Sequence, residues 1–126
     1  MNMKPSSLEE RLIQFAVDVI HLTQKKNPTF ASEHLTKQLI RSSTSAALNY
    51  GEARSGESPN DFLHKMKIVL KELRESLINL KIQQSAALIE KEEDLRRLIN
   101  ENDELVSIFV ASIKTASSKK QYHDRK

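Results

Sequence analysis

The chain is one domain in length, poor in turn-forming residues and weakly basic. Its 126 residues include two glycines, three prolines and no cysteine, 5% are aromatic, and the formal net charge is +3. Few glycines, prolines and aromatic residues exclude a β-sandwich, whose turns and strands require them. The absence of cysteine excludes disulfides and thiolate chemistry. We therefore expect a single all-α domain.

The positive charge is concentrated at the end of the chain. Five basic side chains and one acidic side chain follow Ile113, so residues 1–113 are slightly acidic overall. We predict a bundle domain over residues 1–117 and a basic, disordered tail over residues 118–126. No apolar run is long enough to span a membrane and the first residues do not have the pattern of a signal peptide, so we expect a soluble, cytoplasmic protein.

The first two helices are predicted from apolar periodicity and from the residues that interrupt it. Ser7 is a typical capping residue, and the Asn27-Pro28 turn ends the first helix, which we place over residues 8–26. The second helix begins near Thr29 and ends at the Ser55-Gly56 break.

The third helix has the clearest start, because Ser58 can cap it and Pro59 suits the first helical position. It is predicted to end near Ala87. The acidic residues of segment 90–94 suit the first turn of a fourth helix. Since the connections are short, neighbouring helices must run in opposite directions. The sequence therefore predicts an antiparallel up-down-up-down four-helix bundle.

Two helices carry apolar residues on a second face, away from the predicted core. Exposed aliphatic side chains are common on any surface, which is the simpler interpretation. Their helical spacing instead favours a contiguous patch that packs on other copies, which would make the protein a homo-oligomer. The predicted interface residues are Ile13, Val17 and Ile20 in the first helix and Ile68, Ile78 and Ile82 in the third.

No pattern in the sequence indicates catalysis. Two Asp-x-x-His pairs, which begin at Asp18 and Asp61, have the spacing of a dimetal site in a helical bundle. Their histidines, His21 and His64, fall away from the predicted core. The serines of segment 42–45 have no nearby histidine, and there is no glycine-rich phosphate loop. We expect no catalytic residue, no metal, no cofactor and no small-molecule substrate, and therefore no enzyme.

A group of polar residues surrounds the turn between the second and third helices. Asn49 and Glu52 lie three residues apart and share a helix face, and Arg54, Ser58 and Asp61 follow. They either hold the turn together, for example by satisfying the free amides of the third helix, or contact a ligand.

The same turn carries a recognisable motif. The string from Ala47 to Ala53, followed by Glu57-Ser58, Asp61-Phe62 and His64-Lys65, resembles the bacterial four-helix-bundle family of 23S ribosomal RNA intervening-sequence proteins. The motif extends over about residues 38–75, although many members of the wider family have Glu-Gly where this chain has Glu-Ala. The resemblance identifies the motif residues, for which we predict a structural role, as Asn49, Tyr50, Glu52, Glu57, Ser58, Asp61 and Phe62.

The resemblance also implies an assembly and a partner. It implies a homo-oligomer, a pentamer, built from four-helix protomers. The family is similar to the accessory bundle protein of diversity-generating retroelements, a basic pentamer that binds nucleic acid and a reverse transcriptase. By that likeness, we expect RNA or a ribonucleoprotein as the partner.

Several basic residues of the second and third helices could contact phosphates. Four of them lie approximately on one face of the third helix, and Glu75 lies beside them. No aromatic residue is interleaved with them, so we expect binding through charge and shape. The alternatives are an ordinary solvated face and an oligomer that is structural or binds protein, with no direct nucleic-acid role. The predicted phosphate contacts are Arg41, Arg54, Lys65, Lys67, Lys71, Arg74 and Lys81.

Overall fold

The computed structural model of the chain describes residues 7–56 and 58–124. Over these residues the chain forms four α-helices and no strand, which confirms the predicted all-α class. The helices form a bundle in which α2 contacts α1 and α3, and α4 contacts α3 and α1. The helices are α1 (Leu8–Leu22), α2 (Phe30–Arg54), α3 (Pro59–Ser85) and α4 (Glu92–Asp124).

The helix starts follow the predicted capping residues. The Ser7 hydroxyl accepts a hydrogen bond from the Glu10 amide at 3.1 Å, and the Ser58 hydroxyl accepts one from the Asp61 amide at 3.1 Å. Thr29 and Ser32 form a reciprocal capping box at the start of α2. Each of these side chains satisfies an amide that the helix leaves without a partner, so the starts of α1, α2 and α3 are confirmed.

The end of α1 differs from the prediction by four residues. The helix ends at Leu22, because both the amide and the hydroxyl of Thr23 donate to the Val19 carbonyl, at 3.1 and 2.8 Å. Thr23 therefore closes the last turn, and residues 24–26 belong to the connection. In α3, by contrast, the end at Ser85 lies close to the predicted one.

The fourth helix extends further than the sequence predicted. It continues to Asp124, so residues 118–124 are helical where we expected a disordered tail. Lysine and glutamine favour helices, and the positive charges of Lys119 and Lys120 are favourable near a carboxyl end. Residues 125–126 lie outside the described residues, and the division into a bundle and a tail stays a prediction.

All four helices contribute to one apolar core. The ring of Tyr50 in α2 packs edge-on against Phe109 in α4, with 5.5 Å between ring centroids. Burial of such side chains is the main source of stability in a bundle of this size. The fully buried apolar residues include Leu12, Phe15 and Val19 of α1, Leu39 and Ala46 of α2, Val69, Leu73 and Leu80 of α3, and Leu95, Leu105 and Phe109 of α4.

A buried polar layer crosses this core. The Ser42 and Ser76 hydroxyls are 2.8 Å apart and link α2 to α3. The side-chain amide of Asn79 donates to the Leu35 carbonyl at 3.0 Å, and Gln83 donates to Asn79 at 2.9 Å. In the described part of the chain, no buried side-chain nitrogen or oxygen lacks a partner. Because unpaired buried polar groups are costly, this layer favours one register between α2 and α3.

Candidate nucleic-acid interface

The motif at the α2–α3 turn has structural contacts. Ser58 caps α3, and the Glu52 carboxylate pairs with the Lys65 ammonium across the two helices at 2.6 Å. Tyr50 packs on the core ring of Phe109, and Phe62 is half-buried against the core. These contacts hold the start of α3 against the end of α2.

Asn49 does not contact the free amides at the start of α3, which was one role suggested by the sequence. Its amide donates to the carbonyl and hydroxyl oxygens of Ser45, one turn earlier in the same helix, at 2.9 and 3.0 Å. It therefore does not satisfy the first amides of α3. The Asp61 side chain is exposed in the first turn of α3, where its charge is favourable to the helix dipole. Glu57 lies outside the described residues.

The structure divides the seven predicted phosphate contacts into two groups. The first group has acidic neighbours. Arg41 lies close enough to Glu72 to lower the pKa of that carboxylate. Three others form ion pairs, which reduces their charge toward a ligand. These pairs are Arg54 with Glu9 at 2.9 Å, Lys65 with Glu52 at 2.6 Å, and Lys71 with Glu75 at 4.0 Å.

The second group comprises Lys67, Arg74 and Lys81. All three are exposed, and within residues 7–56 and 58–124 they form no ion pair. They are seven residues apart, so each lies two helical turns from the next with a drift of only about 20°. The three side chains therefore form a straight positive stripe along the outer surface of α3.

The fourth helix adds two cations beside this stripe. The Arg11 guanidinium of α1 pairs with Glu101 at 2.6 Å and Glu104 at 3.1 Å, so the opposite flank of α4 faces α3. Arg96 and Lys114 lie five full turns apart on that flank, and both are exposed. Neither forms an ion pair with a described residue. Sequence reasoning missed both because the orientation of α4 was unknown.

We call this surface the α3–α4 side and define it by Lys67, Arg74, Lys81, Arg96 and Lys114. The acids Glu92 and Asp103 lie on the same flank of α4 and offset part of the charge. The side remains positive overall. Exposed cations along two neighbouring helices are suited to electrostatic contact with phosphates.

The predicted interface residues lie mostly on the surface. Ile13 is 50% exposed and Ile78 is 61% exposed, and Ile20 and Ile82 are also exposed. Val17 and Ile68 are half-buried. The interface itself stays a prediction.

Ile78 and Ile82 border a groove between α2 and α3 of about 340 Å³. Leu35, Gln38 and Arg41 line the α2 side of this groove. Ile78 also lies between Arg74 and Lys81 in the sequence of α3. The predicted interface and the positive stripe therefore occupy adjoining flanks of the same helix.

Sequence reasoning also missed two exposed apolar residues of α2. Phe30 is 87% exposed and lies parallel to the ring of His34, with 6.2 Å between centroids. Leu48 is 69% exposed and lies on the helix face opposite Leu39 and Ala46. Their helical positions relative to the core residues are the signal that could have found them.

Two ionisable groups near these surfaces have shifted pKa values. The hydrogen bond to Glu101 raises the pKa of Arg11, while burial acts in the opposite direction. Burial raises the pKa of Glu72, and the nearby Glu75 carboxylate raises it further. Ionisation of the half-buried Glu72 is therefore less favourable than that of a solvent-exposed glutamate.

The described residues contain no group of three or more histidine, aspartate or glutamate side chains that could hold a metal ion. Within the same residues, no helix is both long enough and apolar enough to cross a membrane.

Comparison with known proteins places the chain in a family. The family model described as 23S rRNA-intervening sequence protein matches residues 8–111, which include α1, α2, α3 and more than half of α4. No curated protein matches. Among solved structures, the chain is similar to a crystal structure of a protein with unknown function from the S23 ribosomal protein family of Bacteroides thetaiotaomicron. The two are 26% identical with a TM-score of 0.74, and the match covers 86% of this chain and 99% of that one. The chain therefore belongs to the 23S rRNA-intervening sequence protein family.

Proposed function

We propose that this protein is a non-enzymatic, cytoplasmic four-helix bundle that self-associates and binds RNA or a ribonucleoprotein through charge and shape. The observation that carries the proposal is the α3–α4 side, where five cations without ion pairs to described residues project from two adjacent helices. Family membership supports it, because the family is described by its link to ribosomal RNA.

The proposal includes an up-down-up-down arrangement of the helices. Three contacts between α2 and α3 support this arrangement. Residues near the end of α2 contact residues near the start of α3, and residues nearer the start of α2 contact residues nearer the end of α3. The pairs are Glu52 with Lys65, Ser42 with Ser76, and Leu35 with Asn79. This order is expected of two antiparallel helices.

RNA contact on the α3–α4 side is electrostatic. Lys67 and Arg74 are about 10 Å apart along the helix axis, as are Arg74 and Lys81, so the cations can follow a phosphate backbone. The five defining residues are lysines and arginines, which contact a phosphate backbone through charge. The binding is therefore sensitive to salt and tolerant of sequence.

Self-association is supported by the exposed isoleucines of α1 and α3. Exposed apolar side chains that recur at helical spacing on two helices are typical of a contact surface. The resemblance to intervening-sequence proteins implies that the assembly is a pentamer.

Fluorescence anisotropy with a labelled, structured RNA tests the RNA contact. We expect the full-length protein to bind with an affinity that falls steeply with salt. The variant Lys67→Glu with Arg74→Glu should lose at least about tenfold in affinity, and its salt slope should be smaller by about two. The matched control is Lys25→Glu with Lys26→Glu, which reverses two exposed charges in the α1–α2 connection and should change the affinity by less than about threefold. Equal losses in both variants would contradict a specific α3–α4 contact.

A second candidate is a structural or protein-binding oligomer with no direct nucleic-acid role. The exposed Ile78 favours it, because an apolar side chain beside Arg74 and Lys81 suits a protein partner better than a phosphate backbone. A full-length protein that assembles but does not bind RNA at low salt would support this candidate and exclude the first.

A further inference from the structure

A groove lies at the end of the bundle where the α2–α3 turn meets the last turns of α4. Its volume is about 950 Å³, and its wall is mainly apolar. Phe62, Ser112 and Ala116 in this wall are half-buried, so the described residues cover them only in part. We call this feature the end groove and define it by Pro59, Phe62, Ser112, Ala116 and Lys119.

The end groove continues the side of α4 that faces α1. Glu101 and Glu104 of α4 both pair with Arg11 of α1, at 2.6 and 3.1 Å. Lys119 lies eighteen residues after Glu101, which is five full helical turns, so the two residues share one helix face. Thr115, which also lines the groove, lies about three turns after Glu104. Helix α1 therefore covers one part of this face of α4, and the end groove is the next part.

The chain enters helix α1 beside the end groove. The Glu9 carboxylate pairs with Arg54 near the end of α2 at 2.9 Å, and Gly56 in the following turn lines the groove. Ser7 has extended backbone, with φ −121° and ψ 161°, so the helix does not continue before it. Residues 1–6, which lie outside the described residues, are therefore attached at the same end of the bundle.

The sequence of residues 1–6 suits an apolar groove. Its apolar and polar residues alternate, and the side chains of an extended segment point alternately to opposite sides. Pro5 favours the extended conformation at the residue before it. Methionine is flexible and fits irregular apolar surfaces, and two of the three apolar residues are methionines. The three are Met1, Met3 and Pro5.

The length of this segment is also sufficient. Six extended residues span about 20 Å. The stretch of α4 from Ser112 to Lys119 is about 10 Å long. The segment can therefore reach the whole groove.

The level of each residue follows from the antiparallel arrangement proposed above. In this arrangement Arg11 is level with segment 101–104 of α4, and the chain before Ser7 runs toward the end of α4. Ser7 lies about 6 Å before Arg11 along α1, and Met3 about 13 Å further, which together correspond to about 13 residues of α4. Met3 then comes level with Ala116.

We infer that residues 1–6 lie in the end groove of their own chain, with their apolar side against Phe62 and Ala116. The segment holds the last turns of α4 against the α2–α3 turn. Residues 1–6 and the groove residues from Ser112 onward lie outside the family match, which extends over residues 8–111. This position depends on the antiparallel arrangement, and on neither the RNA contact nor self-association.

Disulfide cross-linking tests the position of the segment, because the chain contains no cysteine. Met3→Cys with Ala116→Cys introduces one thiol in the segment and one in the groove. The matched control is Met3→Cys with Ser118→Cys, whose second thiol is exposed and lies about 160° away from Ala116 around α4. Each protein is oxidised at several concentrations and analysed by peptide mass spectrometry.

We expect a disulfide within one chain of the Ala116 pair, formed at least about fivefold faster than in the Ser118 pair. Its rate should not depend on protein concentration. Similar rates in the two proteins would show that residues 1–6 do not occupy the groove. Disulfides that join two chains would assign the groove to the segment of another copy, which would equally overturn the inference.

Hydrogen exchange tests the effect of the contact on α4. Met3→Asp introduces a charge on the apolar side of the segment, and the matched control Asn2→Asp introduces the same charge on the polar side. Loss of the contact should allow the last turns of α4 to open, so amides of residues 112–120 should exchange about tenfold faster in Met3→Asp than in the wild type. In Asn2→Asp they should stay within about twofold of the wild type. Equal exchange in the two variants would contradict the inference.

Discussion

The two flanks of α3 differ in chemistry although they belong to one helix. The flank toward α2 exposes Ile78 and Ile82, and the flank toward α4 carries Lys67, Arg74 and Lys81. Residues that are adjacent in sequence, such as Lys81 and Ile82, therefore belong to different surfaces. The division of a helix surface between its two neighbouring helices therefore determines which partner each residue meets.

The largest expected effect is the difference in the free energy of unfolding between a variant in the core of α3 and a variant on its flank. Leu80 is fully buried, so Leu80→Ala should lower the free energy of unfolding by about 2 to 5 kcal/mol. Ile78→Ala, two residues away, removes an exposed side chain and should change it by less than about 0.5 kcal/mol for the protomer. Urea denaturation of the two variants at low protein concentration measures both. A similar loss in both would mean that Ile78 belongs to the protomer core.

A smaller effect is expected on RNA affinity, which should depend more on cations without an ion pair to a described residue than on cations that are already paired. Arg74→Gln with Lys81→Gln removes two charges of the α3–α4 side and should weaken RNA binding about tenfold at moderate salt. Arg54→Gln with Lys65→Gln removes two cations that are already paired with glutamates, and should weaken it by less than about threefold. Anisotropy titrations with one structured RNA compare the two variants. The reverse order would place the RNA contact at the α2–α3 turn instead.

The smallest effect concerns Glu72, which lies between these regions. Burial raises the pKa of Glu72, so the folded protein holds this proton more tightly than the unfolded chain does. Its contribution to stability is therefore greatest below the ordinary pKa of glutamate and is lost as the pH rises through the folded pKa. Glu72→Gln should stabilise the protein at neutral pH by less than about 1 kcal/mol. Melting temperatures should converge with those of the wild type at acid pH, and a constant difference would contradict the assignment.

The fold was largely predictable because its signals are local. Ser58 and Pro59 define the start of α3 within a few residues, and the apolar period identifies the four helices. The end of α1 was not predictable, because Thr23 had no sequence signal that distinguishes a last turn from another helical turn. The length of α4 was missed because a lysine-rich segment suits both a helix end and a solvated tail.

The sequence identified the basic residues of α2 and α3 as candidates, but it could not show which of them form ion pairs within the protomer. Lys65 and Lys67 look alike in the sequence, and only Lys65 meets a partner, Glu52, which lies thirteen residues away on another helix. Arg96 and Lys114 were missed because the rotation of α4 depends on its contact with Arg11. Pairing and orientation are properties of tertiary packing, which a single sequence does not contain.

The most direct test of the account is the amine reactivity of individual lysines, measured by acetylation and mass spectrometry with and without a structured RNA. We predict that Lys67, Lys81 and Lys114 lose reactivity when RNA is added, while the exposed Lys25 and Lys26 keep theirs. Protection that is uniform over all these lysines, or absent from the α3–α4 side, would contradict it.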